Sequence, residues 1–349
     1  MEQSSVSSTS FGNLRKKHSE GSQVKKHLLT KQDAQNRVNK LAQQGQCFFL
    51  LSDFDQNQNL VFTHEEIQDL PISIQFPGFG TQVSNEHKVK KFEKTPVSYE
   101  DFLKSFEQVK AEINLGNSFL TNLTFESPIQ TNLLLDQLYD VAQAKYKLLF
   151  DDDFVVFSPE TFVKTIDNKI FSYPMKGTID ASLPEAKDQI LGDEKEMAEH
   201  ATIVDLIRND LSRYASDVKV NKFRFIDTIQ TNQKTLLQVS SEIEGKLPPD
   251  YPRYLGDIIF SMLPAGSISG APKPETLSII KNSEQHERGF YTGICGYFDG
   301  KNFDSFVMIR YIEQRKGRLF FKSGGGITHL SDGASEYQEM IDKVYVPIY

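Results

Sequence analysis

The spacing of apolar residues changes near position 118. Before it, apolar residues recur every three or four positions over residues 99–113, which predicts one amphipathic helix. After it, short runs rich in β-branched and aromatic residues are separated by turn residues, and each run predicts a strand. Because strands and helices do not alternate strictly, the pattern indicates an α+β fold, with an antiparallel meander in the last three runs. The predicted strands cover residues 119–125, 154–157, 161–166, 169–173, 222–230, 235–244, 294–299, 305–312 and 318–322.

Residues 193–214 predict a longer helix whose apolar side also carries two carboxylates. Asp193 is its predicted N-cap, and at about 100° per residue Glu196 and Glu199 fall on the apolar side. A buried carboxylate is costly unless it is paired, hydrogen-bonded or bound to a metal, so both glutamates are candidate site residues. The alternative for Glu196 is a capping box with Asp193. The other residues on that side are Met197, Val204, Ile207 and Leu211.

A second predicted helix, over residues 332–344, repeats this arrangement. Glu336, Glu339 and Lys343 lie at positions i, i+3 and i+7, on one side of the helix. The alternative is a solvated acidic edge with an ion pair between Glu339 and Lys343. Together the two helices supply four carboxylates without a cluster of cysteine or histidine. Such a set suits a hard cation, Mg²⁺ before Zn²⁺.

Two segments that contain glycine are predicted loops with the features of an anion site. Residues 323–328 include three consecutive glycines, which allow backbone N–H groups to approach an anion closely. Residues 264–273 add hydroxyls, a lysine and the start of a helix. Neither segment matches a P-loop or a dinucleotide-binding pattern. We therefore favour a small carboxylate ligand, held by Arg310 and the glycine amides, over a nucleotide. The alternative for each segment is a tight turn.

Composition and charge describe an ordinary globular protein. The 349 residues include 39 Lys and Arg against 47 Asp and Glu, and the net charge of −8 argues against nucleic acid or an anionic membrane as a partner. Cys47 and Cys295 cannot form a disulfide scaffold, so we expect reduced thiols and a cytoplasmic location. Residues 1–35 are polar and predict a loose N-terminal extension. No signal peptide is visible, and no apolar run is long enough to span a bilayer.

Several of these motifs together resemble one known family. The stretch Glu-His-Ala-Thr-Ile-Val-Asp-Leu-Ile-Arg-Asn-Asp at 199–210, the segments at 266–273 and 323–327, and Glu-Tyr-Gln-Glu at 336–339 with Lys343 match it in order and spacing. The chain is similar to the chorismate-utilising enzymes, which include aminodeoxychorismate, anthranilate, isochorismate and salicylate synthases. The resemblance extends from about Asn117 to the C-terminus.

The resemblance implies a fold and a set of site residues. The fold is an α+β domain over residues 36–349, with a shortened N-terminal part at 36–115. In it, two antiparallel sheets pack orthogonally with helices outside, in four layers α/β/β/α. Mg²⁺ would be bound by Glu199 and Glu339, and Glu196 and Glu336 would support its water shell. The residues implied to hold the carboxylates of chorismate are Arg310, Gly324, Gly325, Gly326, Lys343 and Ser269.

Two shorter motifs point to one activity within the family. Ser-Pro-Glu-Thr-Phe at 158–162 resembles the family's Ser-Pro-Glu-x-Phe. Pro-Met-Lys-Gly-Thr at 174–178 resembles the Pro-Ile-Lys-Gly-Thr of aminodeoxychorismate synthases, whereas anthranilate synthases have alanine at the position of Lys176. Outside such a motif, a single lysine of this kind is usually an exposed turn residue. The water-activating lysine of isochorismate synthases would fall near Leu120, which cannot act as a base.

This resemblance implies amination of chorismate at carbon 4, for 4-aminobenzoate and folate synthesis. Lys176 would attack carbon 2 as a neutral amine while Glu160 protonates the departing hydroxyl, and ammonia would then add at carbon 4 as the lysine leaves. We expect burial to lower the pKa of Lys176 and to keep Glu160 protonated. The chain shows no Cys-His glutaminase signature, so ammonia would come from a separate glutamine amidotransferase subunit.

Two other functions remain open from the sequence. The nearest is that of anthranilate synthase component I, which shares most of the motifs. The other is a non-catalytic protein that binds a small anion through its glycine segments. That protein would bind chorismate without turnover, and the presence of both Glu160 and Lys176 argues against it.

Overall fold

Two antiparallel β-sheets form the centre of the molecule. A computed structural model describes residues 23–80, 87–230 and 235–348, and all secondary structure below refers to these ranges. The strands, in chain order, are β1 (Phe48–Ser52), β2 (Asn59–Thr63), β3 (Ile72–Phe76), β4 (Phe79–Gly80), β5 (Phe92–Lys94), β6 (Leu120–Thr131), β7 (Tyr146–Phe150), β8 (Phe154–Ser158), β9 (Thr161–Ile166), β10 (Lys169–Ser172), β11 (Met175–Asp180), β12 (Ser216–Gln230), β13 (Thr235–Lys246), β14 (Gly270–Ala271), β15 (Ile294–Phe298), β16 (Phe303–Val307), β17 (Tyr311–Arg315) and β18 (Arg318–Ile327).

Helices surround the two sheets. In the first sheet the strand order is β11-β13-β10-β9-β16-β15-β1-β2, and β12 also pairs with β13. In the second sheet the order is β14-β6-β18-β17-β8-β7-β3-β4, and β5 also pairs with β6. The helices are α1 (Lys31–Gln43), α2 (His64–Gln68), α3 (Tyr99–Asn114), α4 (Leu135–Val141), α5 (Ala186–Gly192), α6 (Glu194–Leu211), α7 (Leu255–Met262), α8 (Lys273–Ser283) and α9 (Gly333–Asp342).

Apolar side chains of both sheets form a core between them. Leu51 and Phe306 of the first sheet belong to one buried cluster with Ile74, Tyr146 and Tyr311 of the second sheet. Separate clusters lie between each sheet and its helices. This arrangement confirms the α+β class with two antiparallel sheets and flanking helices. Among the described residues, no helix combines the length and the apolar character needed to cross a bilayer.

The helices predicted from hydrophobic spacing are present with small shifts of their ends. Helix α3 begins after its N-cap Ser98, whose hydroxyl accepts from the backbone N–H of Asp101. Helix α6 begins after Asp193, whose side chain accepts from the N–H of Glu196. The prediction that Met197 belongs to the apolar stripe of α6 was wrong, because its side chain is 44% exposed.

Regular structure begins nearer the N-terminus than the polar composition of residues 1–35 predicted. The predicted loose extension, residues 1–35, was wrong for residues 23–35, since Val24 is fully buried and helix α1 begins at Lys31. Ala34 and Val38 of α1 pack in the same cluster as Ile259 of α7. The sparse apolar positions of α1 are sufficient because each is buried. Residues 1–22 lie outside the described residues.

Two other predictions were wrong, one of a single strand and one of a loop. Residues 305–312 are not one strand, because the chain leaves the first sheet after β16 and enters the second at β17. The predicted meander is therefore divided between the sheets. The glycine run at 324–326 is not a loop, because it continues strand β18 and pairs with β6 as far as Ile327.

The chain crosses between the sheets at two adjacent places. Glu160 lies in the connection from β8 to β9, and Arg310 lies in the connection from β16 to β17. The two connections are bonded to the neighbouring strands: the Phe157 N–H donates to the Arg310 carbonyl and the Val307 N–H to the Glu160 carbonyl, both at 3.1 Å. Two ionisable side chains are thus placed at one corner of the molecule by the backbone itself.

Candidate active site

Lys176 lies inside a group of carboxylates and not in solvent. Its strand, β11, has an irregularity in its pairing with β13 between Lys176 and Thr178, around Gly177. Gly177 has a φ of +74°, a conformation that favours glycine. The side chain of Lys176 is 17% exposed, and its Nζ lies 2.9 Å from Oε2 of Glu199 on α6. The irregularity of the strand therefore places the ammonium of Lys176 beside the N-terminal part of α6.

The four predicted carboxylates come together from the two helices. Lys195 links them, because its Nζ lies 2.5 Å from Oε1 of Glu336 and 3.6 Å from Oε1 of Glu199. Glu339 pairs with Lys343 at 2.6 Å. Glu196 lies close enough to raise the pKa of Lys176 by its charge. Helices α6 and α9, far apart in the sequence, thus meet through their acidic sides.

Lys195 is a site residue that the sequence analysis did not identify. It precedes Glu199 by four positions, a spacing that places two side chains on one face of a helix. The i, i+4 pair was therefore readable from the sequence. Its second partner, Glu336, lies 141 positions away, and that contact could not be read from local spacing.

Three oxygens of the carboxylate group are buried without a hydrogen-bond partner within the described ranges: Oε2 of Glu196, Oε1 of Glu199 and Oε2 of Glu336. Buried, unpaired acceptors of this kind fit a hard cation with oxygen ligands. As the side chains stand, however, no three acidic, histidine or cysteine side chains of the described part of the chain are grouped closely enough to hold a metal ion. The carboxylate oxygens are the type of donor that Mg²⁺ prefers, but in this arrangement Lys176 and Lys195 pair with Glu199 and Glu336.

The charge states of the acidic group follow from its lysines. Lys343, together with Lys176 and Lys195, lowers the pKa of Glu339 to about 2 against the effect of burial. Burial raises the pKa of Glu196, and the charge of Glu199 adds to that effect. Glu339 is therefore ionised at neutral pH, while Glu196 holds its proton more strongly than an exposed glutamate.

The expected lowering of the Lys176 pKa was wrong. Burial does lower it, but the charges of Glu199, Glu196 and Glu339 outweigh burial, and the pKa is raised above its usual value. An amine surrounded by carboxylates is stabilised in its protonated form. Lys176 is therefore an ammonium in this arrangement.

Glu160 is held at the crossing between the sheets with a raised pKa, as expected. The main cause is burial, and the charges of Lys176, Arg310 and Lys343 oppose it. The hydroxyl of Ser267 donates to Oε1 of Glu160 at 2.5 Å. Ser267 lies in the segment 264–273, but the sequence offered no sign of this contact, because the two residues are 107 positions apart.

The glycine run forms one wall of the site. Beyond Lys322, β18 has a strand partner on one side only among the described residues, so its other edge is open. A Cβ added at Gly326 would lie 2.7 Å from Lys176 Nζ and 2.9 Å from Leu120 Cδ1. A Cβ added at Gly325 would lie 3.7 Å from Lys343 Nζ. The absence of side chains here leaves room beside both amines.

The remaining residues predicted to bind the ligand differ in whether their hydrogen-bond donors are available. Arg310 stacks over Tyr345 at 5.0 Å, and its Nε is buried without a hydrogen-bond partner in the described part of the chain. Lys343 donates to the Gly324 carbonyl at 2.9 Å. Ser269 is fully buried, and its hydroxyl donates to the Ala265 carbonyl. Arg310 and Lys343 therefore have donors for an anion, whereas the hydroxyl of Ser269 is used within its own loop.

Comparisons with known proteins show the family that this chain is similar to. The family model described as chorismate binding enzyme matches residues 15–348. An uncharacterized PabA-like protein of Pasteurella multocida is 46% identical over 315 residues, which is 89% of this chain and 97% of that protein. The aminodeoxychorismate synthase component 1 of Bacillus subtilis is 33% identical over 267 residues, 72% of this chain and 55% of its own length. Anthranilate synthase component I from Streptococcus pneumoniae, a crystal structure, superimposes with a TM-score of 0.61 at 27% identity, over 74% of this chain and 60% of that one.

Proposed function

This chain belongs to the chorismate-binding enzyme family, and from that premise we propose that it aminates chorismate at carbon 4, as aminodeoxychorismate synthases do. The observation that carries the proposal is the position of Lys176. Its amine lies 2.9 Å from Glu199, beside the open glycine wall and close enough to Glu160 for its charge to affect that residue's pKa. A nucleophile and an acid are thus present on one cleft.

The cleft has the charge to hold a dianion. Arg310 and Lys343 would supply positive charge on one side, and the edge of β18 that has no second strand partner among the described residues would supply backbone N–H groups. Carboxylates are bound well by guanidinium groups and by exposed backbone amides. We propose that these groups hold the two carboxylates of chorismate with its ring between Lys176 and Glu160.

The reaction needs one acid and one neutral amine. Glu160 would donate its proton to the hydroxyl that leaves carbon 4, because hydroxide is a poor leaving group. The neutral amine of Lys176 would attack carbon 2 and leave when ammonia adds at carbon 4. Since the surrounding carboxylates favour the ammonium form of Lys176, the neutral amine is a minor species whose fraction rises with pH.

Magnesium is part of the proposal. Glu199 and Glu339 would be its ligands, with Glu196 and Glu336 supporting its water shell, and the unpartnered buried oxygens of Glu196, Glu199 and Glu336 within the described ranges support this assignment. When bound there, Mg²⁺ would supply positive charge for the ring carboxylate of chorismate.

We propose that ammonia comes from a glutamine amidotransferase subunit. A glutaminase of the Cys-His type needs a reactive thiolate. Cys295 is fully buried, and burial raises the pKa of its thiol, so it is a structural residue. Leu120 lies against Gly326 in the cleft, and an apolar side chain at this place favours ammonia over an activated water as the second nucleophile.

The test is a product assay with chorismate, MgCl₂ and ammonium chloride. We expect a product that yields 4-aminobenzoate only after an aminodeoxychorismate lyase is added. Formation of fluorescent anthranilate without the lyase would instead assign the chain to the alternative reaction, and recovery of unchanged chorismate in a stable complex would indicate a binding protein.

Two glycines of β18 should respond differently to substitution. In Gly324→Ala the new Cβ would meet the Leu123 carbonyl at 2.2 Å, so we expect a loss of about 1–3 kcal/mol in the free energy of unfolding. In Gly326→Ala it would meet side-chain atoms at the ends of Lys176 and Leu120 and no backbone atom, so we expect a smaller loss of stability but a fall in kcat of about 100-fold from displacement of the amine. Urea unfolding and initial rates of both variants check this, and full activity of Gly326→Ala would contradict it.

A further inference from the structure

Lys195 occupies the position at which the two acidic helices meet. Glu199 and Glu336 are each 3% exposed, whereas the side chain of Lys195 is 26% exposed. The ammonium therefore lies on the solvent side of two buried carboxylates, hydrogen-bonded to Glu336 and at ion-pair distance, 3.6 Å, from Glu199. It is the group through which α6 and α9 are electrostatically connected at this point.

The ammonium satisfies these carboxylates only in part. It lies 2.5 Å from one oxygen of Glu336, but Oε2 of Glu336 and Oε1 of Glu199 have no hydrogen-bond partner within residues 23–80, 87–230 and 235–348. A lysine ammonium is a single charge on a flexible stem. A divalent cation has twice the charge and coordinates six or more oxygens, so it can satisfy acceptors that the lysine leaves unpaired.

We propose that the Lys195 ammonium is a counter-cation built into the chain, which holds Glu199 and Glu336 together until a divalent cation displaces it. The competition between the two cations then sets the affinity of the site for the metal. The inference rests on the proposed assignment of Mg²⁺ to these carboxylates. It gives a role to a lysine that has no part in the proposed reaction.

Removal of the ammonium should strengthen metal binding. Lys195→Met keeps the aliphatic stem but removes the competitor and leaves the acidic group one charge more negative. Both effects act in the same direction. We expect the Kd for Mg²⁺, measured by calorimetric titration of the full chain with MgCl₂ and without chorismate, to fall about tenfold or more. Without Mg²⁺ the variant should melt at a lower temperature than the wild type, and MgCl₂ should raise its Tm by more than that of the wild type.

Two variants serve as controls. Lys195→Arg retains a cation, so its Kd for Mg²⁺ should stay within about threefold of the wild-type value. Lys164→Met removes another half-buried lysine that pairs with a carboxylate, Asp304 at 3.2 Å, outside the site. It should leave the Kd unchanged. Circular dichroism of each variant verifies that the fold is retained.

The outcomes separate this inference from the proposed function. If Lys195→Met binds Mg²⁺ with the wild-type affinity or more weakly, Lys195 is not a competitor and the inference is wrong, while the product assay can still support the reaction. If neither the wild type nor the variant binds Mg²⁺, both the inference and the metal assignment fall. The inference is supported if Lys195→Met binds Mg²⁺ more tightly than the wild type while Lys195→Arg and Lys164→Met do not.

Discussion

Lys176→Ala should lower kcat for ammonium-dependent amination by about 10³-fold or more, because it removes the amine that we propose bonds to carbon 2 of chorismate. The loss should appear in kcat, since Arg310 and Lys343 remain to bind the substrate. Initial rates in the lyase-coupled assay measure kcat. Calorimetric titration with chorismate and MgCl₂ measures the affinity for chorismate.

Lys176→Arg distinguishes loss of the nucleophile from loss of structure. Lys176→Ala also leaves Glu199, which is 3% exposed, without its partner at 2.9 Å, and removing one member of a buried ion pair is destabilising. Arginine retains the charge but stays protonated at any accessible pH, so it cannot attack. We expect Lys176→Arg to be stable and inactive. Ordinary turnover by either variant would remove the covalent step from the proposal.

Glu160→Gln should lower kcat about 10²- to 10⁴-fold, the range typical for loss of a general acid. Glutamine keeps the size of the side chain and can still accept the hydrogen bond from Ser267, so the fold should be unaffected. Initial rates across a pH series test this, with thermal melting as the control for stability. A variant that retains the wild-type rate at neutral pH would exclude Glu160 as the proton donor.

The sign of the pH dependence follows from the raised pKa values of Glu160 and Lys176. Glu160 acts when protonated and Lys176 acts when neutral. Because the pKa of Lys176 lies above that of Glu160, the rate should rise with pH up to the pKa of Glu160, which burial places above that of an exposed glutamate. Above that pH the rate should level off, since loss of the protonated acid offsets the gain in neutral amine. The Ser267 hydroxyl donates to the carboxylate and lowers this pKa. Ser267→Ala should therefore move the pH at which the rate levels off to a higher value. A shift to lower pH would contradict the arrangement.

Local periodicity was sufficient for the parts of this protein that depend on neighbouring residues. Hydrophobic spacing predicted α3 to within a residue at its end, and the caps Ser98 and Asp193 act as their types suggest. The grouping of Glu196 with Glu199, and of Glu336 with Glu339, was also predictable, because each pair lies within one turn of a single helix. The motifs then indicated the family.

The relation between distant segments was not predictable in this way. The glycine run looks like a loop in the sequence, and only its pairing with β6 shows that it is a strand. The i, i+4 pair of Lys195 with Glu199 lies within one helix, but its contact with Glu336 joins two helices. Residues 23–35 appear polar and loose because the surfaces that bury Val24 and Ala34 are supplied by later segments.

The sequence by itself determined the candidate site residues: one lysine, one acid and four carboxylates on two helices. Tertiary structure decided their charge states. Burial alone would lower the pKa of Lys176, but three carboxylates from α6 and α9 raise it. An electrostatic field is a sum over charges in space, and the positions of those charges are set by the packing of two sheets and the helices around them, not by the order of residues along the chain.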